Sequence, residues 1–200
     1  MLEIPKDVFI ISIATYDGRA VPKSIGDLYA VGALLGRRVF LNVQQGTGVP
    51  RIRNKCIKAV KEAFPGAESA YMFWLDSDIV LNENPEKIAE YVTKAEAGGL
   101  SFTGNYSIID SANQKIFNCV EKEDNTHFTN EELAAAKPFE LRVRYSGMGL
   151  GYIKMPLDYE LRTSGDYGAD FLFFKDNPAI DLRYAPIANF HIKNLWIPGK

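Results

Sequence analysis

Hydrophobic and polar positions alternate in a regular way through the first half of the chain. Residues 8–14 and 71–75 are almost uninterrupted apolar runs, which are typical of strands covered on both faces. Residues 22–35 and 49–64 instead carry apolar residues at helical spacing, and residues 38–43 predict another strand between these helices. Strands and helices that alternate along a chain predict a largely parallel sheet.

The next predicted helix has the clearest boundaries in the chain. Asn84 is a typical cap residue, Pro85 favours the first turn, and Gly98 and Gly99 end the apolar spacing. We therefore predict a helix between these boundaries.

The pattern is less regular in the second half. Residues 100–104 and 182–185 predict strands, with 182–185 the last of them, and residues 115–120 and 140–145 predict an antiparallel pair. A capping box at Thr129 predicts a short helix between that pair. The predicted fold class is α/β, with a mixed, mainly parallel central sheet flanked by helices.

Composition narrows the range of functions. With 200 residues, 46% of them apolar, the chain can bury one sizeable core and is predicted to form a single domain. The formal net charge of -2 argues against nucleic acid as a partner. Cys56 and Cys119 lack metal-binding spacing and are too few for a disulfide framework, which predicts a cytoplasmic location. No apolar run reaches the length of a membrane span, so no transmembrane segment is predicted.

Two carboxylates stand at the end of the second apolar run, in Asp76-Ser77-Asp78. In an extended segment side chains alternate, so both carboxylates are expected on one side of the sheet edge. Such carboxylates need a cation, a hydrogen-bond donor or water, because burying them unpaired is costly. Their hard oxygen atoms suit a divalent cation. In open α/β sheets ligands bind beyond the carboxyl ends of strands, where Thr15 and Tyr16 are also expected.

Six short motifs follow one another in the order of a known enzyme family. They are Ile13-Ala14-Thr15-Tyr16-Asp17-Gly18, Arg53-Asn54, Leu75-Asp76-Ser77-Asp78, Gly147-Met148-Gly149-Leu150, Gly168-Ala169-Asp170 and His191. On these residues the chain resembles GT-A glycosyltransferases, and it is most similar to the compact family 2-like enzymes that phages and archaeal viruses often encode. The resemblance extends from residue 8 to about residue 193. One departure is that the family usually shows Gly-Glu-Asp where this chain has Gly168-Ala169-Asp170.

The resemblance implies an activity and a division of the domain. It implies a GT-A fold in which residues 1–99 form a nucleotide-binding half and residues 100–200 an acceptor-binding half. The implied reaction is the metal-dependent transfer of a sugar from a nucleoside diphosphate, uridine-linked by family similarity, to a hydroxyl group of a glycan, protein or lipid, with inversion. The implied cofactor is Mn2+ or Mg2+.

The resemblance also implies roles for individual residues. The implied metal ligands are Asp76, Asp78 and His191; the implied donor contacts are Thr15, Tyr16, Asp17, Arg53, Asn54, Asp76 and Ser77; the implied acceptor contacts are Gly147, Gly149 and Trp196; and the implied catalytic base is Asp170. An imidazole among oxygen ligands favours Mn2+ over Mg2+.

Ordinary structural explanations stay open for several of these residues. Asp17 is also typical of a plain turn before glycine. Arg53 and Asn54 can form a solvated helix face, as a lone basic run usually does. His191 can be an ordinary hydrogen-bonded histidine, and Trp196 can pack the end of the chain against the domain.

The implied base and the glycine motif also leave alternatives. Asp170 precedes an apolar run at residues 171–174 that predicts a buried helix or strand. Burial would raise the pKa of Asp170, whereas the start of a helix would lower it. Gly147 and Gly149 would let the backbone approach a sugar closely, or would serve only a flexible turn.

A phosphatase is the main alternative function. Asp76-Ser77-Asp78-Ile79-Val80 also fits the nucleophile motif of haloacid-dehalogenase-like phosphatases, with Asp76 as nucleophile, and residues 165–170 fit their late metal motif. Against this, two strand-helix units precede Asp76, whereas that family's nucleophile strand opens the fold, and residues 158–164 are not an apolar strand. A non-catalytic module that binds nucleotide sugars also stays open, because Ala169 departs from the pattern.

Overall fold

A computed structural model describes residues 4–104, 107–109, 115–117, 120–122, 126–164 and 168–191. Side chains are described for these residues except 107–109, 115–117, 120, 121 and 191. The strands of these segments are β1 (Val8–Thr15), β2 (Arg38–Gln45), β3 (Ser69–Asp76), β4 (Ile79–Leu81), β5 (Ser101–Thr103), β6 (Ser107–Ile109), β7 (Lys115–Phe117), β8 (Val120–Glu121), β9 (Arg142–Val143), β10 (Tyr145–Ser146), β11 (Leu150–Pro156), β12 (Leu182–Tyr184) and β13 (Asn189–His191). The helices are α1 (Pro22–Leu34), α2 (Val49–Ala63), α3 (Pro85–Gly98), α4 (Asn130–Ala135) and α5 (Ala169–Asp176).

Within the described segments, the central sheet has seven strands in the order β2-β1-β3-β11-β5-β12-β9. Strands β2, β1 and β3 are parallel, and β5 and β12 are parallel to each other. Strand β11 lies between β3 and β5 and is antiparallel to both, and β9 is antiparallel to β12 at the edge. Five of the seven strands therefore run in one direction, and the predicted mixed, mainly parallel sheet is confirmed.

Helices cover both faces of this sheet because its inner strands are apolar on both sides. On one face Met72 and Trp74 of β3 pack with Cys56 of α2 and Phe173 of α5. On the other face Phe73 belongs to a second core cluster that includes residues of α1 and α3. Because side chains alternate along a strand, Asp76 lies on the same face of β3 as Met72 and Trp74, which is the face covered by α2 and α5.

Two smaller sheets form from the second half of the chain and β4. Their strand orders are β4-β13-β6-β7 and β10-β8. The predicted antiparallel pair is only partly right, because β8 pairs with β10 whereas β7 pairs with β6. The prediction that residues 182–185 form the last strand is wrong, since β13 follows and pairs with β4.

Local signals account for the helix ends that the sequence predicts well. The side chain of Asn84 accepts a hydrogen bond from the backbone of Glu86, and Gly99 adopts a left-handed conformation at the end of α3. Thr129 and Glu132 form the predicted capping box at α4. Because each signal acts within a few residues, these helices begin and end where the pattern indicates.

Candidate functional site

Polar side chains collect at the edge of the sheet where β1 and β3 end. Ala14 pairs with Asp76 across these parallel strands, so the two strands stop at the same level. A cleft of about 180 Å³ opens there and is lined by Ala14, Tyr16, Val49, Ile52, Asp76, Ser77 and Asp78. The end of the first strand and the Asp-Ser-Asp triplet therefore meet at one edge, as the alternating pattern predicts.

The triplet itself is not extended. Strand β3 ends at Asp76, and Ser77 and Asp78 form a turn that leads into β4. The prediction that strand alternation orients the two carboxylates is therefore wrong. Both residues nevertheless line the same cleft, and the charge of Asp78 adds to burial in raising the pKa of the Asp76 carboxyl.

Arg53 lies at the centre of the site. Arg53 is 2% exposed, and its guanidinium contacts two carboxylates that come from different elements. Nη2 donates to Oδ1 of Asp76 at 3.2 Å, and Nη1 donates to Oδ1 of Asp170. The solvated-face explanation is therefore wrong for Arg53, although Arg51 and Lys55 of the same helix are exposed. The planar fork of a guanidinium suits this bridging of two acceptors.

Asp170 stands in the first turn of α5 and is held from two sides. Besides its contact with Arg53, its Oδ2 accepts a hydrogen bond from the backbone N–H of Met148 at 2.9 Å. The carbonyl of Gly149 in turn accepts from the backbone N–H of Asp76 at 2.7 Å. The glycine motif thus connects β3 to α5. A carboxylate offers about four lone-pair positions, so Asp170 retains the capacity to accept a further proton or hydrogen bond.

The electrostatics of the site centre on Asp76. Burial is the largest influence and raises its pKa, Arg53 lowers it, and the charges of Asp170 and Asp78 raise it. The net effect is a raised pKa, because one guanidinium does not offset burial and two further carboxylates. A cation placed among these carboxylates would favour their ionised forms.

In the turn after β1, the side chains of Thr15 and Asp17 form hydrogen bonds within the turn itself. Thr15 Oγ1 donates to the carbonyl of Arg19 at 2.8 Å and accepts from the N–H of Gly18 at 3.1 Å. Asp17 accepts from both the backbone and the Nε of Arg19, at 2.8 and 2.6 Å. These contacts match the turn explanation for Asp17. Tyr16 differs from them, since it is 50% exposed and lines the cleft.

Asn54 is used away from the cleft. Its side-chain amide donates to the carbonyl of Leu161 at 2.8 Å, and its side-chain oxygen accepts from the N–H of the same residue at 2.8 Å. Asn54 therefore anchors the segment that leads towards α5, and the donor contact implied for it stays a prediction.

The structure describes the backbone position of His191, the predicted third metal ligand. In the antiparallel pair of β13 and β4, His191 lies opposite Ile79, the residue that follows Asp78. The side chain of His191 and the whole of Trp196 lie outside the described residues.

A divalent cation fits part of this donor set. Within the described segments, no group of three or more His, Cys, Asp or Glu side chains is arranged to hold a metal ion. Asp76 and Asp78 nevertheless offer oxygen ligands in one cleft, and ions such as Mg2+ are often held by one or two carboxylates together with substrate phosphates. These two residues therefore suit a cation that is shared with a phosphate-bearing ligand.

Larger cavities lie at the opposite edge of the sheet. Two of about 490 and 790 Å³ share Ser69 at the start of β3 and Lys154 near the end of β11. Neither is lined by the Asp-Ser-Asp triplet or by Asp170. We assign the candidate site to the smaller cleft because the interacting carboxylates, rather than volume, indicate chemistry.

Comparisons with known proteins do not assign a family to the chain. No protein-family model matches it, and no curated protein is significantly similar to it in sequence. In the described part of the chain, no helix is both long and apolar enough to cross a membrane. The interpretation of the site therefore depends on its geometry.

Sequence reasoning missed the bridging role of Arg53, although the chain carries a signal for it. The buried face of α2 includes Cys56, Ile57 and Val60, which follow position 53 at helical spacing. An arginine on an apolar helix face requires a buried acidic partner. The contact between Met148 and Asp170 had no such signal, because it involves a backbone N–H.

Proposed function

We propose that the protein is a metal-dependent glycosyltransferase, which transfers a sugar from a nucleoside diphosphate, uridine-linked in our hypothesis, to a hydroxyl acceptor. One observation carries the proposal. Asp76 and Asp78 line one cleft at the carboxyl edge of the central sheet, and Arg53 joins Asp76 to Asp170 from a distant part of the chain. The backbone of His191 lies opposite Ile79, the residue after Asp78. Ligands of open α/β sheets bind at this edge.

The donor would bind along the cleft and the exposed surface beside it. Asp78 and Asp76 would hold Mn2+ or Mg2+, with His191 as a further ligand, and the cation would neutralise charge on the leaving diphosphate. The cleft of about 180 Å³ is smaller than the roughly 300–1,000 Å³ typical of ligand sites. The donor would therefore extend onto the surface, where the exposed ring of Tyr16 can stack on the nucleobase.

Asp170 is suited to the role of base for the acceptor. The acceptor oxygen would attack the anomeric carbon and pass its proton to Asp170 as the bond to the diphosphate oxygen breaks. Direct displacement of this kind inverts the configuration of the sugar. Arg53 and the N–H of Met148 support the role because they fix the orientation of the carboxylate. The acceptor would be a glycan, protein or lipid, approached by the backbone around Gly147 and Gly149.

A cytoplasmic location is part of the same proposal. Its support is that Cys56 is a free, buried cysteine, as is usual in a reducing compartment.

Cys56 is unsuited to act as a nucleophile, because burial raises the pKa of its thiol to about 12.

The phosphatase alternative has less support. Asp76, its required nucleophile, accepts a hydrogen bond from Arg53, and β1 and β2 with their helices precede it in the chain. Residues 158–164 do not form the strand that its second motif needs. A phosphoaspartate mimic such as beryllofluoride would bind at Asp76 in a phosphatase, and we expect no such binding to active protein.

Calorimetric titration with uridine diphosphate, with and without Mn2+, tests the donor site. We expect binding that depends on Mn2+ in the wild type and is lost in Asp78→Ala. The matched control is Asp158→Ala, which removes an exposed carboxylate remote from the cleft and should bind like the wild type. Metal-independent binding, or full binding by Asp78→Ala, would contradict the proposal.

Hydrolysis of the donor separates an enzyme from a binding module. We expect wild-type protein to release uridine diphosphate slowly from the correct donor sugar, and Asp170→Asn to bind the donor without this turnover. Tight donor binding without turnover towards any acceptor or water in the wild type would instead indicate a module.

A further inference from the structure

Arg53 holds its two carboxylates unequally. Asp170 is fixed by Nη1 of Arg53 on one oxygen and by the N–H of Met148 on the other. The Asp76 carboxylate has one described hydrogen bond from the guanidinium, at 3.2 Å, and it also lines the cleft with Asp78. The Asp76 carboxylate thus has fewer described anchors than that of Asp170, and Asp76 lines a cleft that a ligand can enter.

The guanidinium and a divalent cation require the same carboxylate. A cation held by Asp76 and Asp78 would stand close to Nη2 of Arg53, because Nη2 bonds to the same Asp76 carboxylate. Two positive charges that share one carboxylate repel each other strongly in a partly buried site. Both cannot bind Asp76 at full strength. The anchored contact with Asp170 allows the guanidinium to give up Asp76 while it keeps its other partner.

We propose that Arg53 is an internal counter-ion that occupies Asp76 until a divalent cation displaces it, and a positioning residue that keeps Asp170 in place afterwards. This inference rests on the proposed function, because it assumes that Asp76 and Asp78 hold the cation. It assigns Arg53 to the two carboxylates, in place of the donor contact that the family resemblance implies.

The inference predicts the sign of a change in metal affinity. Titration of the purified protein with Mn2+ alone, followed by the electron paramagnetic resonance signal of the unbound ion, avoids any dependence on nucleotide. In Arg53→Gln the competing charge is gone, so we expect Mn2+ to bind at least about 10-fold more tightly than in the wild type. Arg51→Gln removes an exposed arginine of the same helix and is expected to leave the affinity unchanged.

A merely structural role predicts the opposite sign, because a site that collapses without Arg53 binds the ion more weakly. Unchanged or weaker binding by folded Arg53→Gln therefore overturns the inference. Since the titration contains no nucleotide, failure of uridine diphosphate to bind would contradict the proposed donor without affecting this result.

Asp170→Asn provides a second test that does not depend on the folding of Arg53→Gln. Without the Asp170 charge, Arg53 is expected to hold Asp76 more firmly, so we expect Mn2+ to bind roughly 10-fold more weakly than in the wild type. If the effect acts through Arg53, adding Asp170→Asn to Arg53→Gln changes the affinity much less than it does alone. Equal or tighter binding by Asp170→Asn overturns the inference.

Discussion

Replacing Arg53 by glutamine leaves two carboxylates without their shared positive charge. The Arg53 side chain is 3% exposed, whereas those of Asp76 and Asp170 are 27% and 26% exposed. Breaking a buried ion pair by removing one partner costs about 3–5 kcal/mol. Because water reaches part of each carboxylate, we expect the lower end of that range, a loss of about 3 kcal/mol in the free energy of unfolding at pH 7. A domain of ordinary stability, about 5–15 kcal/mol, remains folded after such a loss.

Urea denaturation followed by circular dichroism measures this change. The matched control is Arg51→Gln, which alters an exposed arginine of the same helix and should change the free energy of unfolding by less than about 0.5 kcal/mol. Adding Asp170→Asn to Arg53→Gln should recover about 1 kcal/mol or more, since one unpaired charge is removed. Equal effects of Arg53→Gln and Arg51→Gln would refute the buried bridge and would favour a solvated helix face.

Two further predictions concern the framework around the site. Burial alone would raise the pKa of Glu96, but hydrogen bonds from Arg37 and Tyr152 lower it below its ordinary value. A carboxyl group whose pKa is lower in the folded state than in the unfolded state stabilises the fold at pH values above its unfolded-state pKa. This stabilisation is lost as the pH falls through its folded-state pKa. Glu96→Gln should therefore destabilise the protein at pH 7 in urea denaturation and much less near pH 3, and an equal loss at both pH values would contradict this reasoning. At Gly151 an added Cβ would stand 2.6 Å from a backbone oxygen of β5, so Gly151→Ala should reduce the free energy of unfolding by about 1–3 kcal/mol. Gly26 of α1 has open space around it, so Gly26→Ala should instead stabilise the protein by about 0.5–1 kcal/mol. Thermal unfolding that ranks the two variants the other way would refute the packing argument.

The parts of the fold that sequence patterns predict well are those specified by nearby residues. The ends of α3 follow from Asn84 and Gly99, and the strand before Asp76 follows from its own apolar run. The insertion of β11 between β3 and β5 has no local signal, because antiparallel pairing depends on residues about 80 positions away along the chain. Periodicity therefore indicates the elements but not the order of the strands.

The same limit applies to the candidate site. The triplet at Asp76 is visible because it interrupts an apolar pattern, and its neighbourhood with Tyr16 follows from where parallel strands end. The contact between Arg53 and Asp170 joins residues 117 positions apart. A charged residue on a buried helix face indicates that an acidic partner is needed, but periodicity alone does not identify which acid supplies it.

A crystal structure of the protein with Mn2+ and uridine diphosphate tests the central claim most directly. The account predicts an anomalous peak for Mn2+ beside Asp78 and Asp76, shared with the diphosphate oxygens, with the nucleobase near Tyr16 and Asp170 still held by Arg53. Metal or nucleotide bound elsewhere on the molecule, with the cleft of Asp76 and Asp78 unchanged, would contradict it.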